Sequence, residues 1–380
     1  MIVLTGFPHY PAGKVFPGYS VRPWLKETYE GVTIVRVPLY PYKGYSLLRR
    51  SWNHLSFALS ASLMGPFLVG QVDRILVFQV GPITVGIPAI VLKYLKKAPV
   101  IFWVQDIWPD TLEATGLVRR SWILSLVRRL VQFIYRHCDL IPVQSRGFAR
   151  RVAQLGVPPE KVQYLPNWAE ELYRPVPRND GMAVTEGMAD RFIVMFAGNI
   201  GRSQDFDTLL GAAALLKDRT DIQFVILGDG AMAQHYLELS RRQGLSNVVF
   251  KGKKPVEWMP RYFALADVLL VQLRNEPIFA LTIPSKLQSY LACGRPIVAA
   301  LKGDPAAIVS DSGGGVVCMP GDPIALAEAV LHVYRKSPEE REALAKAGTA
   351  YYHAEFDRSM LLDRFDALLN MASVGRAHTA

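Results

Sequence analysis

Short runs of apolar residues alternate along this chain with longer segments whose apolar residues recur every three or four positions. The short runs predict buried strands, and the longer segments predict helices that pack on them. In the first half we predict strands at 2–5, 32–38, 74–79, 100–104, 140–143 and 161–165, and helices at 47–69, 81–94, 119–137 and 147–155. In the second half we predict strands at 193–196, 223–227, 248–250, 268–272, 297–300 and 315–318, and helices at 207–217, 232–243, 258–265, 285–293, 323–335, 338–356 and 360–371.

Two blocks of alternating strands and helices predict an α/β fold with two parallel-sheet domains. We predict the first domain at 1–168 and the second at 191–356, with the helical segment 357–380 packing back on the first. The segment 169–190 lacks periodicity and is predicted to be a linker. A doubly wound domain usually opens with a strand, a glycine-rich turn and a helix. Because a strand begins at Ile2, we expect that this first βα unit is missing or that the true start lies upstream.

The composition of the 380 residues predicts a globular protein, since 50% are hydrophobic and 20% charged. The net charge of +10 favours nucleic acid, an anionic membrane or phosphorylated ligands as partners. No zinc spacing, RNA-binding aromatic motif or arginine-rich tail is present, so nucleic acid is the least favoured. Three well-separated cysteines and the lack of a predicted signal peptide lead us to expect a cytoplasmic protein with reduced thiols.

Two predicted helices indicate that the protein lies on the inner face of the plasma membrane. The helix 119–137 is amphipathic and carries five arginines (Arg119, Arg120, Arg128, Arg129 and Arg136). The apolar stretch within 47–69 is too short to span a bilayer. Basic amphipathic helices bind anionic membrane surfaces. The alternative is that both helices pack on the sheet and that their arginines are simply solvated.

A candidate anion site lies where the helix at 285–293 begins. Pro284 and Ser285 are typical of a helix start, with Ser285 as the predicted cap, and Gly294 ends the helix. Lys286 falls in the first turn, where the free backbone N–H groups and the helix dipole favour an anion. The alternative is an ordinary αβ unit with an exposed lysine.

Three further loops follow predicted strands of the second domain and should meet this helix start at one edge of the sheet. They are the glycine-rich segments 198–204 and 228–230 and the basic segment 251–255. Together the four loops place five cations there (Arg202, Lys251, Lys253, Lys254 and Lys286). Such an edge suits a phosphorylated ligand, and a solvated basic rim is the alternative.

In the first domain, Asp106 follows the apolar strand 100–104. At the carboxyl end of a parallel strand it could orient or deprotonate a hydroxyl, or it could cap the following helix. His9 and Tyr10 follow another strand and could line the same edge. No catalytic triad and no metal-binding spacing is present.

Several motifs together resemble retaining glycosyltransferase family 4. They are 6–11 (GFPHYP), 105–109 (QDIWP), 166–168 (PNW), 198–201 (GNIG), 228–230 (GDG), 284–286 (PSK) and 290–296 (YLACGRP). More narrowly they resemble its capsule, O-antigen and exopolysaccharide branch, typified by N-acetyl-fucosamine-type transferases. The resemblance covers nearly the whole chain. It implies a GT-B fold of two facing Rossmann-like domains and a hexosyl- or N-acetylhexosaminyl-type transferase that needs no metal or other cofactor.

The resemblance also implies substrates and site residues. The donor would be a nucleoside diphosphate sugar, with UDP expected, and the acceptor a polyprenyl-diphosphate-linked glycan. The implied donor-binding residues are Gly198, Asn199, Gly201, Gln204, Gly228, Asp229, Gly230, Lys253, Pro284, Ser285 and Ser289. The implied catalytic residues are Asp106, Lys286 and Arg202, and the implied acceptor-side residues are His9, Tyr10, Trp108 and Asp110.

The chain departs from the family pattern at the donor site. Two glutamates common in the family are replaced by Leu281 and Ser289, of which the second normally binds the donor ribose. An arginine and a lysine that often clamp the diphosphate are replaced by Asn199 and Gln204. A catalytically impaired scaffold or glycan-binding protein is therefore the alternative function. A sugar-nucleotide epimerase is less favoured, since no added general acid–base pair is present.

Overall fold

The computed structural model describes residues 1–10, 13–42, 44, 46–118 and 120–374, and the side chains of these residues up to Met371. Pro11 of the first motif, Arg119 of the predicted basic helix and residues 375–380 lie outside the described residues. The chain divides into two compact units. Unit 1 comprises Met1–Gln144, Phe148–Leu165 and the chain from Phe365 onward, and unit 2 comprises Ser145–Gly147 and Pro166–Arg364.

The first sheet of unit 1 has three strands: β1 (Ile2–Gly6), β2 (Leu25–Tyr29) and β3 (Val32–Val37). Its order is β1-β3-β2, with β1 parallel and β2 antiparallel to β3. We did not predict β2, because its sequence LKETY is mostly polar. Pairing with β3 stabilises this strand instead. The Glu27 carboxylate forms an ion pair with Arg36 on β3, with 2.6 Å between Oε1 and Nε. The antiparallel strand β2 is therefore an addition at this edge to the predicted parallel strands.

The second sheet of unit 1 is parallel throughout, with the order β4-β5-β6-β7. Its strands are β4 (Ile75–Gln79), β5 (Val100–Val104), β6 (Ile141–Val143) and β7 (Val162–Tyr164). Among the described residues, no strand pairs with the outer edge of β1 or of β4. Unit 1 therefore holds two sheets where a doubly wound domain has one continuous sheet.

The helices between Leu47 and Gln154 in the described part of the chain are α1 (Leu47–Leu68), α2 (Gly86–Lys96), α3 (Asp110–Ala114), α4 (Ser121–His137) and α5 (Arg146–Gln154). Helix α1 packs against β1, β3 and α2. Gly65 permits this close packing, because a Cβ at that position would lie 2.8 Å from Cδ2 of Leu4 on β1. No helix among the described residues is long and apolar enough to cross a bilayer.

Unit 2 is built on one six-stranded parallel sheet with the order β10-β9-β8-β11-β12-β13. The strands are β8 (Phe192–Ala197), β9 (Ile222–Leu227), β10 (Val248–Gly252), β11 (Val268–Gln272), β12 (Ile297–Ala300) and β13 (Gly315–Cys318). The strands β8, β9, β11 and β12 are buried at every residue, as expected for a sheet covered by helices on both faces. The predicted α/β fold with parallel sheets is confirmed.

The remaining helices are α6 (Asp180–Thr185), α7 (Phe206–Leu215), α8 (Ala233–Arg242), α9 (Met259–Leu265), α10 (Ser285–Ala292), α11 (Asp304–Ser312), α12 (Pro323–Tyr334), α13 (Pro338–Glu355) and α14 (Arg358–Val374). The predicted linker is not featureless, because Asn179 caps α6 by accepting a hydrogen bond from the N–H of Met182 at 2.8 Å. We did not predict α11, whose short sequence begins with Asp304 and a proline.

Candidate functional site

The order of strands in unit 2 reverses between β8 and β11, which are neighbours in the sheet but distant in sequence. In open parallel sheets, ligands bind beyond the carboxyl ends of the strands at such a switch point. The loop at 198–201 leaves β8 there, and α10 follows the segment that leaves β11. This edge of the sheet is called the unit 2 rim below.

Helix α10 begins without a side-chain cap. Pro284 occupies the cap position with φ −70° and ψ 131°, and Ser285 is the first helical residue. The prediction that Ser285 caps the helix is therefore wrong, because the extended proline takes that place. Ser289 donates its hydroxyl hydrogen back to the Ser285 carbonyl at 3.4 Å. At the other end Gly294 has φ +60° and terminates the helix, as predicted.

Lys286 is held in place at the unit 2 rim. Its Nζ donates to Oε1 of Gln204 at 2.5 Å and lies 3.8 Å from the centre of the Phe196 ring. A Cβ at Gly198 would lie 3.3 Å from the same Nζ, so the lysine extends over the glycine loop. Burial lowers the pKa of Lys286 to about 7. The side chain is thus fixed above the loop and is ready to gain a proton when an anion approaches.

The two glycine loops of the rim are locked together through their backbones. Gly198 and Gly228 have φ of 142° and 136°, and a Cβ on Gly228 would overlap the carbonyl oxygen of Gly198. The carbonyl of Asp229 accepts from the N–H of Ile200 at 2.9 Å. Only glycine fits where these two loops pass so close to each other, so both loops reach the rim in a fixed conformation.

Other predicted donor-site residues also support these loops. The carboxylate of Asp229 accepts from the N–H of Gly230 at 2.7 Å. The Asn199 amide occupies the space beside two glycines, since a Cβ on Gly201 or on Gly230 would lie 2.7 or 2.6 Å from it. Asn199 and Asp229 therefore shape the loops.

A buried tyrosine that we did not predict as a site residue joins α10 to the end of β8. The Tyr290 hydroxyl accepts from the N–H of Ala197 at 2.9 Å and donates to its carbonyl at 3.2 Å. This pair of bonds fixes the helix start relative to the loop at 198–201. The apolar spacing of the helix predicted only that Tyr290 is buried.

The five predicted cations do not form one group. Lys251 and Lys254 pair with Glu186 at 3.1 and 3.5 Å, and Tyr262 donates to the same carboxylate at 2.7 Å. Two of the lysines predicted to face a ligand therefore form ion pairs with Glu186, a residue of the predicted linker that we did not expect at this position. Arg202 and Lys253 are exposed.

In unit 1, the loop after β1 holds His9 between two partners. Its Nδ1 lies 3.0 Å from the carbonyl of Phe7, and its Nε2 lies 3.3 Å from Nδ2 of Asn53. The buried Asn53 also donates to the carbonyl of Tyr40 at 2.5 Å. Both ring nitrogens of His9 therefore have neighbours, so its observed role is to order the loop. Tyr10, next in the chain, is exposed.

Asp106 is a half-buried carboxylate at the end of β5 with no hydrogen bond or ion pair to any described residue. Burial raises the pKa of Asp106 to about 6. The alternative that it caps the next helix is wrong, because Pro109 stands at the cap position of α3 without a side-chain bond. The Asp106 carboxylate is thus left to accept a hydrogen bond from a ligand.

The two other predicted acceptor-side residues of this loop differ from Asp106. Asp110 accepts two hydrogen bonds from Arg151, at 3.0 Å from Nε and 2.6 Å from Nη2. This pairing anchors α3 to α5. Trp108 is partly buried. Of the two aspartates in the predicted motif region, only Asp106 has a carboxylate without a described partner.

Buried glutamines at the carboxyl ends of the unit 1 strands were not predicted. Gln79 ends β4 and donates to the carbonyl of Gly81 at 2.6 Å. Gln144 follows β6 and donates to the carbonyl of Gln105 at 2.7 Å. These amides tie together the loops beside Asp106. Within the described ranges, no cluster of three His, Cys, Asp or Glu side chains is placed to hold a metal ion.

Comparison with protein families assigns both halves of the chain. Residues 3–168 match the model of the glycosyl transferase 4-like domain, and residues 191–336 match that of glycosyl transferases group 1. The chain belongs to the glycosyltransferases. The narrower N-acetyl-fucosamine-type branch stays a prediction.

Two relatives agree with this assignment. The chain is 30% identical to the probable glycosyltransferase WbjE of Pseudomonas aeruginosa over 63% of its own length and 60% of that of WbjE. It is 28% identical to the putative colanic acid biosynthesis glycosyl transferase WcaI of Escherichia coli, over 77% and 73% of the two chains.

Two solved structures share the fold. Anabaena HepE in complex with UDP and glucose has a TM-score of 0.70 at 17% identity, covering 89% of this chain and 86% of that chain. Sucrose-phosphate synthase from Thermosynechococcus elongatus has a TM-score of 0.78 at 16% identity, covering 98% and 89%. These similarities place the chain in the GT-B fold.

Proposed function

We propose that this chain transfers a sugar, with retention of configuration, from a nucleoside diphosphate sugar to a hydroxyl of a lipid-linked glycan. The observation that carries the proposal is Lys286, fixed above the locked glycine loops of the unit 2 rim. The HepE structures contain UDP and UDP-glucose, and this supports a UDP-linked donor. The name of WcaI, a putative colanic acid biosynthesis glycosyl transferase, supports a role in surface polysaccharide synthesis.

In this proposal the protein acts mainly by stabilising the departing diphosphate. The uncapped start of α10, the Lys286 ammonium and the exposed Arg202 supply hydrogen bonds and positive charge where negative charge develops. No metal ion is required in this scheme. An N-acetylated amino sugar is one candidate for the transferred group.

Asp106 acts on the acceptor in the same proposal. Its carboxylate accepts a hydrogen bond from the attacking hydroxyl and orients it. The leaving phosphate then helps to take the proton of that hydroxyl. Retention of configuration follows if attack and departure occur on one face of the sugar.

We place the acceptor, a polyprenyl-diphosphate-linked glycan, at the inner face of the plasma membrane, with the protein bound peripherally. The support is the net charge of +10 and the basic helix α4, which contains no acidic residue. Membrane binding would bring the enzyme to a substrate that cannot leave the bilayer.

Isothermal titration with UDP and with GDP, followed by a donor-hydrolysis screen over nucleotide sugars, tests the proposal. We expect UDP to bind and one UDP-sugar to be hydrolysed slowly without acceptor. Lys217→Met is the control for Lys286→Met, because Lys217 is an exposed lysine of unit 2 outside the predicted donor site. Absence of nucleotide binding would favour the alternative, a scaffold or glycan-binding protein without turnover.

A further inference from the structure

Helix α1 carries a continuous apolar stripe on its solvent side. Six large side chains recur along it every three or four residues, each 44–88% exposed: Leu48, Trp52, Leu55, Leu59, Leu63 and Phe67. At 1.5 Å per residue the stripe is about 28 Å long. Isolated exposed leucines are ordinary, but a contiguous apolar surface of this length marks an interaction site.

The packing of α1 fixes the direction of this stripe. The opposite side of the helix is buried through Asn53, Ala58, Ala61 and Gly65. Small residues on that side allow the helix to pack close to β1. If the helix were rotated to bury the stripe, leucines would have to fit where alanines and a glycine now pack. The stripe is therefore exposed because the core requires the other face.

A second apolar surface lies in the same layer of helices. Helix α1 packs on α2, and α2 packs on α4, where a Cβ on Gly86 would lie 2.5 Å from Ile134. On α4, Trp122, Leu126 and Phe133 are 48–63% exposed. Neither α1 nor α4 contains an aspartate or glutamate, whereas both carry arginines.

We propose that α1 lies in the headgroup region of an anionic phospholipid bilayer and inserts this stripe among the acyl chains, with the arginines of α4 binding lipid phosphates. The inference rests on the membrane part of the proposed function and adds an insertion surface to it. Amphipathic helices with an apolar face and a basic rim bind such interfaces. Charge favours the bilayer over a second copy, because pairing two such faces would bring arginines together.

The two helices should contribute differently to binding. Attraction between arginines and lipid phosphates is screened by salt, with a Debye length of about 10 Å at 0.1 M and about 3 Å at 1 M. Insertion of leucine and tryptophan side chains is insensitive to this screening. Binding that persists at high salt should therefore depend on α1 and not on α4.

Vesicle flotation of the full chain tests this division. We expect flotation with vesicles that contain phosphatidylglycerol, part of it persisting at about 1 M NaCl. Leu59→Gln/Leu63→Gln should lower the high-salt partition coefficient at least tenfold, and Arg128→Gln/Arg129→Gln should lower only low-salt binding. The matched control is Leu215→Gln/Ile324→Gln, which changes two exposed apolar residues of unit 2. Leu48→Gln/Phe67→Gln provides a second variant of the stripe if the first fails to fold.

Equal flotation of the stripe variants and the wild type would overturn the inference, as would absence of flotation. A wild type that is dimeric by light scattering and becomes monomeric on Leu59→Gln/Leu63→Gln would also overturn it, in favour of a second copy. UDP titration of the same samples separates the two proposals. If UDP binds but the protein does not float, only the proposed insertion of α1 is contradicted. If the protein floats but UDP does not bind, only the proposed sugar transfer is contradicted.

Discussion

Two ionisable side chains at the carboxyl-end rims, Lys286 in unit 2 and Asp106 in unit 1, have pKa values shifted by burial. In unit 2, burial lowers the pKa of Lys286 to about 7, and in unit 1 burial raises the pKa of Asp106 to about 6. Lys286 is fixed by Gln204 and the Phe196 ring, whereas Asp106 has no hydrogen-bond partner among the described residues.

In the proposed function this difference suits the two rims to different tasks. A side chain that must stabilise a leaving group works best when its position is fixed before the reaction, since no reorganisation is then needed. A carboxylate that must orient an incoming hydroxyl has to keep a lone pair available. We therefore treat the Lys286 site of unit 2 as formed before the ligand binds. In unit 1 we expect the ligand to supply the hydrogen bond that Asp106 lacks among the described residues.

The largest effect is expected from Lys286→Met, which removes the fixed charge and keeps most of the side chain. We expect a loss of roughly 10³ in kcat/KM for transfer, comparable to removal of one charge-stabilising donor. Lys217→Met should change the rate by no more than about threefold, because that exposed lysine lies outside the predicted donor site. Steady-state assays with the donor found by the screen provide the measurement, and similar losses in both variants would contradict a special role for Lys286.

Asp106→Asn should have the next largest effect, because it keeps the shape of the side chain and removes its negative charge. We expect about a 100-fold lower transfer rate, the low end for a positioned acid–base group. The affinity for UDP should stay unchanged, since Asp106 belongs to unit 1. If Asp106→Asn lowers UDP affinity as much as it lowers the transfer rate, the assignment of separate roles to the two rims would be contradicted.

The pH dependence of kcat/KM distinguishes the two groups in one experiment. In the proposed mechanism transfer requires ionised Asp106 and protonated Lys286, so the profile should rise through about pH 6 and fall above about pH 7. Asp106→Asn should abolish the acid limb, and Lys286→Met the alkaline limb. A flat alkaline limb in the wild type would mean that Lys286 does not titrate in the reaction.

A smaller effect is expected from Gln204→Leu, which removes the acceptor that holds Lys286. Loss of one hydrogen bond to a charged group, at about 1.5 kcal/mol, corresponds to about tenfold weaker UDP binding. Titration of UDP measures it. Unchanged affinity would show that the aromatic contact alone positions the lysine.

The smallest effect is expected from Ser289→Ala. We predicted Ser289 as a donor-binding residue, but its hydroxyl is directed to the carbonyl of Ser285. Its removal should change UDP affinity by no more than about twofold. A larger loss in UDP titration would show that Ser289 leaves the helix to bind the donor.

The sequence predicted most strands and the unit 2 rim, because parallel strands are near-continuous apolar runs and glycines mark the turns after them. It did not predict β2, whose polar sequence is fixed by pairing with β3. The engagement of Lys251 and Lys254 by Glu186 was missed because it joins distant segments. The contact between Asn53 and His9 was missed for the same reason, since nothing in the sequence around either residue predicts that the two meet.

Proton uptake on UDP binding tests the central claim most directly, namely that Lys286 is fixed in position before the donor binds and becomes fully charged against the diphosphate. Calorimetric titrations at pH 8 in two buffers of different ionisation enthalpy give the number of protons taken up. With a free pKa of about 7, the wild type should take up close to one proton per UDP, and Lys286→Met should take up none. Equal uptake by the two proteins, or none by the wild type, would contradict the account.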